Sequence, residues 1–343
     1  MILANDKPRV LVPRDHIWAS EIGKAPIDIW LAMRATPYST PPNIRSRRKF
    51  IAGDVWEWLV VRMLIVAGVF QSRQDHLKFQ YPGLLEVTGK LDIIAGGMPD
   101  FEKARYNMTE GAMKVFFEEE EQGFGYRLQQ TLLGITRELE KVANGQELKQ
   151  LIVEVKSCSA FMFDKYERTG KASPNHVMQL FHYLKAKGFD EGHILYVCKD
   201  DSRMIEFAVF NPSPAEEIYK NYITLISENH KSTERPALAP LTVFDTDEAK
   251  FMKNWNVEYS NYLEMLYGYK TPDEYRQEWE PQINSWNRVF KRCVNGDRMT
   301  PGNLDVIERV KEIYPTWDEL VELGKKLKAE GLLAEEPAEG EAA

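Results

Sequence analysis

Ile152-Val153-Glu154-Val155-Lys156 alternates apolar and polar side chains. On a strand of period two, Glu154 and Lys156 share one face, while Leu151, Val153 and Val155 take the other. A carboxylate and an ammonium are thus held side by side next to a buried strand. Upstream, Gly89-Lys90-Leu91-Asp92-Ile93-Ile94 sets a second carboxylate in an otherwise apolar strand. An unpaired charge there costs several kcal/mol or shifts its pKa, and a bound cation offsets that cost.

Glu57 repeats the pattern on a helix, since its i+3, i+4 and i+7 neighbours are Val60, Val61 and Leu64, placing it on or beside the apolar stripe. Three acidic groups therefore point inward. The chemistry that calls for this set is phosphodiester hydrolysis: oxygen ligands hold Mg²⁺, the metal neutralises charge on the phosphate, and a lysine orients or activates the attacking water. Lys156, two residues from Glu154, is placed for that part. Gln179 and Tyr183 stand four apart on one face of the next helix, beside the loop residues Lys165, Tyr166, Arg168 and Lys171. Such a face suits a DNA backbone.

Around these stretches, residues 14–50 are proline-rich (Pro26, Pro37, Pro41, Pro42) and read as loop, ending in the basic cluster Arg45, Arg47, Arg48 and Lys49. From Val55 the period turns helical, with Val55, Trp56, Leu59, Val60, Met63, Leu64 and Ala67 on one face and Gly68 as the stop. Segments 77–80, 84–88 and 91–95, punctuated by Pro82-Gly83 and Gly89, predict an antiparallel meander ending at Gly96-Gly97. Residues 100–148 form a charged, helix-rich insertion with the acidic run 118–121 and an amphipathic stretch 126–143. Then 151–155 reads as a buried strand, 174–187 as a helix with proline in its first turn, and 194–198 and 204–210 as strands. Beyond Pro212 the chain reads as mainly helical, and Thr271-Pro272-Asp273-Glu274 and Thr316-Trp317-Asp318-Glu319 fit capping boxes. The expected divisions are an N-terminal segment 1–50, a core 51–212 containing the insertion, a helical region 213–330 and an acidic, disordered tail 331–343.

The 343 residues carry 44 Lys and Arg against 52 Asp and Glu, a net charge of −8, with 43% hydrophobic and 28% charged residues. These values argue against a disordered chain, a collagen-like repeat and a disulfide scaffold. The longest apolar run, 55–70, is broken by Glu57 and Arg62, so no membrane partner is expected. Asp6, Lys7 and Arg9 stand where a secretory signal needs an apolar run, so the expectation is an intracellular, cytoplasmic protein. Cys158, Cys198 and Cys293 lack metal-binding spacing and read as reduced thiols. Net acidity disfavours a whole-surface nucleic-acid binder but leaves room for a local basic groove.

Taken in order, Glu57 after Gly53, Asp92 in Gly-x-x-Asp, Glu154-Val-Lys156 and Gln179-x-x-x-Tyr183 resemble the PD-(D/E)XK nuclease superfamily. The Gln-x-x-x-Tyr element is similar to that of its RecB-like exonuclease branch, which includes phage and CRISPR-associated nucleases. Ser20-Glu21-Ile22-Gly23-Lys24, Ile29-Trp30 and Phe50-x-x-Gly53 resemble the N-terminal part of phage-type members. The resemblance implies an α/β fold, a central mixed sheet flanked by helices, with a helical insertion and a mainly helical C-terminal region. It implies Asp92, Glu154 and the Val155 carbonyl as ligands of Mg²⁺ or Mn²⁺, with Glu57 as a further ligand or water anchor. Lys156 becomes the catalytic lysine, and Gln179 and Tyr183 position the scissile strand or the active site. Ala25-Pro26 stands where iron–sulfur members carry a cysteine, so no iron–sulfur cluster is expected.

The expected activity is metal-dependent hydrolysis of DNA, with an exonuclease of phage or mobile-element recombination or end processing preferred on resemblance. The alternatives are a structure-specific or nicking endonuclease and a nuclease-fold protein that binds DNA or a partner without cutting. A recombination or replication partner protein is compatible with this reading, and oligomeric state is left open. Arg45, Arg47, Arg48, Lys165, Arg168 and Lys171 are the candidate DNA contacts, although the first three also fit a solvated surface run. Glu57 also fits a partly buried, ion-paired glutamate. His176 and His182 read as structural, the 118–121 run as a solvated face, and Trp255, Tyr259, Tyr262, Tyr269, Trp279 and Trp286 as core in preference to a base-stacking platform.

Overall fold

In the computed structural model, residues 11–111, 114 and 123–332 are described, apart from the side chains of Arg45 and Phe124. The acidic run 118–121, the residues Asp6, Lys7 and Arg9 and the tail from 333 lie outside the described residues. The chain divides into two units, one made of 11–24, 32–35 and 42–234, the other of 25–31, 36–41 and 235–332.

The first unit opens with strand β1 (His16–Trp18); helix α1 (Pro26–Met33) belongs mostly to the second unit. Helix α2 (Ile44–Val66) starts at Ile44, well before the expected Val55. Asn43 explains this, because its side chain accepts the Ser46 N–H at 2.9 Å and caps the helix. The basic cluster therefore rides on the first turns of a helix and not on a loop. These turns carry no apolar period because they face solvent. The buried stripe of α2 is Val60 and Val61 with Trp56, Leu64 and Ile65. Val55 and Met63, expected inside, are 57% and 50% exposed.

Next come β2 (Phe70–Arg73), β3 (His76–Phe79), β4 (Glu86–Lys90), β5 (Ile93–Gly97), α3 (Phe101–Thr109) and α4 (Phe124–Ala143). They lead into β6 (Leu148–Cys158), α5 (Ala160–Thr169), α6 (Pro174–Lys187), β7 (Glu191–Cys198), β8 (Met204–Phe210) and α7 (Ala215–Lys231). The expected meander is split between two sheets. β4 pairs with β3 and, in parallel, with β1, whereas β5 enters a five-stranded sheet of order β2-β5-β6-β7-β8. In that sheet β6 and β7 are parallel and the other pairs antiparallel. The chain thus changes sheets at Leu91-Asp92, a step that alternation along the sequence does not reveal. Residues 160–169, read as loop, form α5, so Lys165, Tyr166 and Arg168 are helical.

Two faces of the five-stranded sheet are covered differently. Val153, Val155, Leu195, Val197, Ile93 and Ala95 pack against the α2 stripe. The opposite face, with Ile152 in register with Gly192, meets α6: a Cβ on Gly192 would stand 3.0 Å from Leu180 and 3.2 Å from Leu184. α6 is backed by α7, where the His182 Nδ1 lies 2.9 Å from the Tyr219 hydroxyl. Within the insertion, Met108 and Leu133 pack with Val66, and the Thr136 hydroxyl donates to the Val66 carbonyl at 2.9 Å.

The second unit adds a hairpin to the expected helices: β9 (Thr242–Asp245) and β10 (Lys250–Lys253), then α8 (Trp255–Glu258), α9 (Leu263–Tyr267), α10 (Pro272–Asn295), α11 (Pro301–Ile313) and α12 (Trp317–Ala329). Phe251, Trp286, Phe290, Val310 and Trp317 form its core. Thr271 caps α10 as expected, accepting the Glu274 N–H at 3.2 Å, while Glu274 reaches back to the Lys270 N–H at 2.8 Å. Thr316 makes no side-chain cap, since its ψ of 16° is not the extended geometry a cap needs. Tyr262 and Trp286 are buried as expected, but Trp255 and Tyr259 are exposed and stack on each other at 5.3 Å. Among the described residues, no helix is long and apolar enough to cross a membrane.

His182 gives this packing a pH signature. Burial lowers its pKa from 6.5 to about 3, so the folded state keeps the ring neutral while the unfolded chain protonates it. Stability is full above pH 6.5 and falls as pH drops from there towards 3, by about 1.4 kcal/mol per pH unit. Denaturant unfolding at pH 7 and pH 5 should show a loss about 2 kcal/mol smaller in His182→Gln than in the natural chain.

Candidate active site

Register builds the site. In the antiparallel pair β5·β6, Ile93 faces Val153 and Ile94 faces Ile152, so Asp92 falls opposite Glu154 just before β5 begins. Beyond Val153 the strand β6 has lost its neighbour on that edge, and the N–H of Val155 is taken instead by Asp92 Oδ2 at 2.9 Å. The carbonyl of one strand residue points to the same edge as its N–H, so the Val155 carbonyl opens on the same gap.

Glu154 is fully buried. One of its oxygens, Oε1, accepts from Lys156 Nζ at 2.5 Å; the other, Oε2, is buried and finds no hydrogen-bond partner in the protein. Burial raises the Asp92 pKa well above the usual carboxylate range; Glu154 and Glu57 add to the rise, against Lys156 and the Val155 N–H. For Lys156, burial opposes the charged form, but Glu154, Asp92 and Glu57 outweigh it and the pKa is raised. The lysine is therefore a firmly held ammonium between carboxylates.

Glu57 stands on the α2 side of the sheet, close enough for its charge to act on both Asp92 and Lys156. Its Oε1 accepts from Gln74 Nε2 at 2.8 Å. Among the described residues no group of three or more His, Cys, Asp or Glu side chains is gathered closely enough to cage a metal ion. The oxygen donors facing the gap are therefore the Asp92 and Glu154 carboxylates and a backbone carbonyl.

α6 forms the wall opposite α2. Gln179 Nε2 donates to the Tyr183 hydroxyl at 3.2 Å, and that hydroxyl donates to the Lys90 carbonyl at 2.9 Å. Burial, then the nearby Glu154 and Asp92, raise the Tyr183 pKa and keep it a neutral donor. Tyr183 thus lies close enough to Glu154 and Asp92 to feel their charges, and Gln179 is bonded to it. On β7, Tyr196 is in register with Lys156, and its ring stacks on Tyr166 of α5 at 4.1 Å. His176, read from the sequence as structural, has its Nδ1 2.8 Å from the Tyr196 hydroxyl, a pairing that the sequence pattern did not disclose.

The basic candidates lie on α2, on α5 and just after α5. A Cβ on Gly53 of α2 would stand 3.6 Å from the Ser157 hydroxyl, so the turns carrying Arg47, Arg48 and Lys49 run beyond the Lys156 end of β6. Burial and the charge of Lys49 lower the pKa of Lys199, just past β7. Arg47 Nε donates to the Pro42 carbonyl at 3.3 Å, and Arg48 is exposed. The Arg45 side chain lies outside the described residues. Lys165 is half-buried on α5, and Arg168 and Lys171 are exposed at and after its end.

No protein-family model and no curated protein matches the chain. Among solved structures it is similar to the crystal structure of SSO0001, with 13% identity and a TM-score of 0.35 over 69% of this chain and 83% of that one. It is also similar to an alkaline exonuclease (LHK-Exo) from Laribacter hongkongensis, with 10% identity and a TM-score of 0.31 over 63% of this chain and 88% of that one. Likenesses this slight decide neither fold nor activity, and the site has to be read from its own geometry.

A buried carboxylate pair with one partnerless oxygen is held at a cost to folding. Asp92→Asn keeps an oxygen for the Val155 N–H and leaves the Glu154–Lys156 pair in place while removing the repulsion. In EDTA the variant should be more stable than the natural chain by about 1–3 kcal/mol, measured by chemical denaturation. A less stable variant would mean that the carboxylate charge at 92 is satisfied within the protein.

Proposed function

We propose that the protein is a Mg²⁺- or Mn²⁺-dependent DNA nuclease, with exonuclease action the preferred form and recombination or end processing its setting. One observation carries the reading: the buried, partnerless Oε2 of Glu154 sits beside Asp92 and a carbonyl-lined gap, with a firmly protonated lysine two residues on. Unsatisfied buried oxygen calls for a cation. Hard oxygen donors suit Mg²⁺ or Mn²⁺, which Asp92, Glu154 and the Val155 carbonyl would hold, with Glu57 reaching it through water. When bound, the ion supplies Lewis-acid stabilisation of the phosphate and a more acidic water.

The rest of the work falls to the chain. Lys156, fixed on its strand by Glu154, donates to the attacking water or to oxygen charge developing on the phosphate. Tyr183 and Gln179 hold the strand end at Lys90 and offer amide and hydroxyl dipoles along the cleft wall. Lys165, Arg168 and Lys171 on one side and Arg45, Arg47 and Arg48 on the other would neutralise backbone phosphates whatever the base sequence.

A second reading, a nuclease-like protein that binds DNA without cutting, is favoured by the engagement of Glu57 with Gln74. The deciding experiment offers 5′- and 3′-labelled linear DNA and closed circles with Mg²⁺, Mn²⁺ or EDTA. Release of nucleotides from ends, with circles spared, is expected for the exonuclease; cut circles indicate an endonuclease, and binding without metal-dependent cleavage indicates the second reading. Lys156→Ala should lower kcat by about 10²–10³-fold, and Lys156→Arg should not restore it, because a broad guanidinium cannot replace a compact ammonium.

The basic residues make a separate, quantitative expectation. Replacing Arg48, Arg168 and Lys171 by alanine should weaken binding to any sequence and flatten the log–log salt dependence by about 0.7–0.9 for each phosphate no longer neutralised. An unchanged slope in titrations of fluorescent DNA would place the backbone track elsewhere.

A further inference from the structure

α6 carries a third polar side chain in line with its Gln and Tyr. His176, Gln179 and Tyr183 fall at i, i+3 and i+7, on one helix face. Tyr183, at the inner end, is buried and bonded to the Lys90 carbonyl; Gln179 and His176 are half-buried, so the stripe opens outward. The outer end of the stripe lies beside Lys156, whose charge, after burial, helps lower the His176 pKa to about 3 and keep the ring neutral.

The partners of His176 set the choices for its single ring proton. Tyr196, fully buried and in register with Lys156, accepts the Ser173 N–H on its hydroxyl oxygen at 3.0 Å. His176 Nδ1 lies 2.8 Å from the same oxygen. With the Ser173 N–H on that oxygen, the hydroxyl proton has two acceptors, Nδ1 of His176 and the Tyr166 hydroxyl, which also hydrogen-bonds Tyr196. A neutral imidazole whose Nδ1 accepts carries its proton on Nε2. With Nδ1 accepting, the ring presents an Nε2–H donor, held from behind by Tyr196 and next to the Lys156 ammonium.

We propose that His176 contacts the substrate of this site, its Nε2–H donating to a phosphate oxygen of the nucleic-acid strand beside the bond served by Lys156, with Tyr196 as its positioning residue. This rests on the nuclease reading for the identity of the anion. A neutral donor adds no charge to the cleft; it adds direction, aligning a phosphate that the surrounding cations only attract.

The test uses the full chain and a fluorescein-labelled 20-nucleotide DNA, single- and double-stranded, with Kd measured in EDTA and steady-state cleavage in Mn²⁺. His176→Leu should weaken binding about tenfold or more, as loss of one hydrogen bond to a charged group does, and His176→Gln, which keeps an N–H near the Nε2 position, should recover most of it. Tyr196→Phe, which frees the tautomer, should lower kcat several-fold with a smaller change in KM. In the natural chain, long-range ¹⁵N–¹H spectra should find the His176 proton on Nε2 and show that resonance moving on DNA addition. This measurement stands even if the leucine variant fails to fold. A proton on Nδ1, a resonance unmoved by DNA, or a folded His176→Leu that binds and cleaves normally would overturn the proposal. If the natural chain binds DNA but never cleaves it with any metal, the nuclease reading fails, while a binding loss rescued by glutamine still upholds the histidine contact.

Discussion

The hydrogen bond from the Val155 N–H to Asp92 closes the place where the chain leaves the three-stranded sheet for the five-stranded one. β4 ends at Lys90 in the three-stranded sheet, and β5 begins at Ile93 in the five-stranded one. The two residues between must satisfy backbone groups that no ladder serves. Leu91, fully buried, donates its N–H to the Asp75 carbonyl at 3.1 Å, and the Asp92 carbonyl accepts from the Gln74 N–H at 3.1 Å. The Lys90 carbonyl is taken by Tyr183. Gly89 is required beside it, because a Cβ there would stand 2.7 Å from the Ala19 Cβ and 3.0 Å from the Tyr183 ring. The Asp92 carboxylate therefore has a structural task at the junction before any chemical one, and that task aims it at Glu154.

β6 turns this junction into a site by having two unlike faces. Val153 and Val155 anchor it to α2 through a continuous apolar layer, which holds the strand rigidly enough to carry charge on its back. The parallel register with β7 runs from Ile152 to Cys158, so Glu154 and Lys156 are fixed against Ile194 and Tyr196 and cannot slip without moving Val153 and Val155 out of the core. The stabilising face offsets the cost of the polar one. Rigid support of this kind suits a reacting centre, where an error of an ångström matters.

What the sequence disclosed follows from how local each pattern is. Alternation around Glu154 and Lys156 and the proline start of 174–187 are local, and the shared face of the first pair and the bounds of the helix match the structure. The partition of strands between sheets is not local: 84–88 and 91–95 both read as short strands, yet one belongs beside β1 and β3 and the other beside β2 and β6. Helix α2 hid its first half because a solvated helical turn has no apolar period, and only Asn43 three residues before Ser46 marked its start. The pairing of Tyr196 with His176 escaped because a tyrosine in a buried strand and a histidine in a buried helix are ordinary residues until register and helix phase bring them to 2.8 Å.

Charge sets the final constraint on what the cleft accepts. Asp92, Glu154 and Glu57, when ionised, face the single positive charge of Lys156, and burial already pushes the Asp92 pKa upward. A phosphodiester approaching that set alone would be repelled at close range, where low dielectric strengthens the interaction. Under the proposed reading the attraction has to come from the flanks, from α2 beyond Ser157 and from α5, which draw the backbone in by charge without regard to sequence. Divalent cation and phosphate then relieve the site together: each makes the other's position favourable, because the cation balances the carboxylates and the phosphate completes the cation's oxygen shell. Binding at the centre is thereby coupled to the metal while binding along the flanks is not, which separates affinity for DNA from competence to react with it.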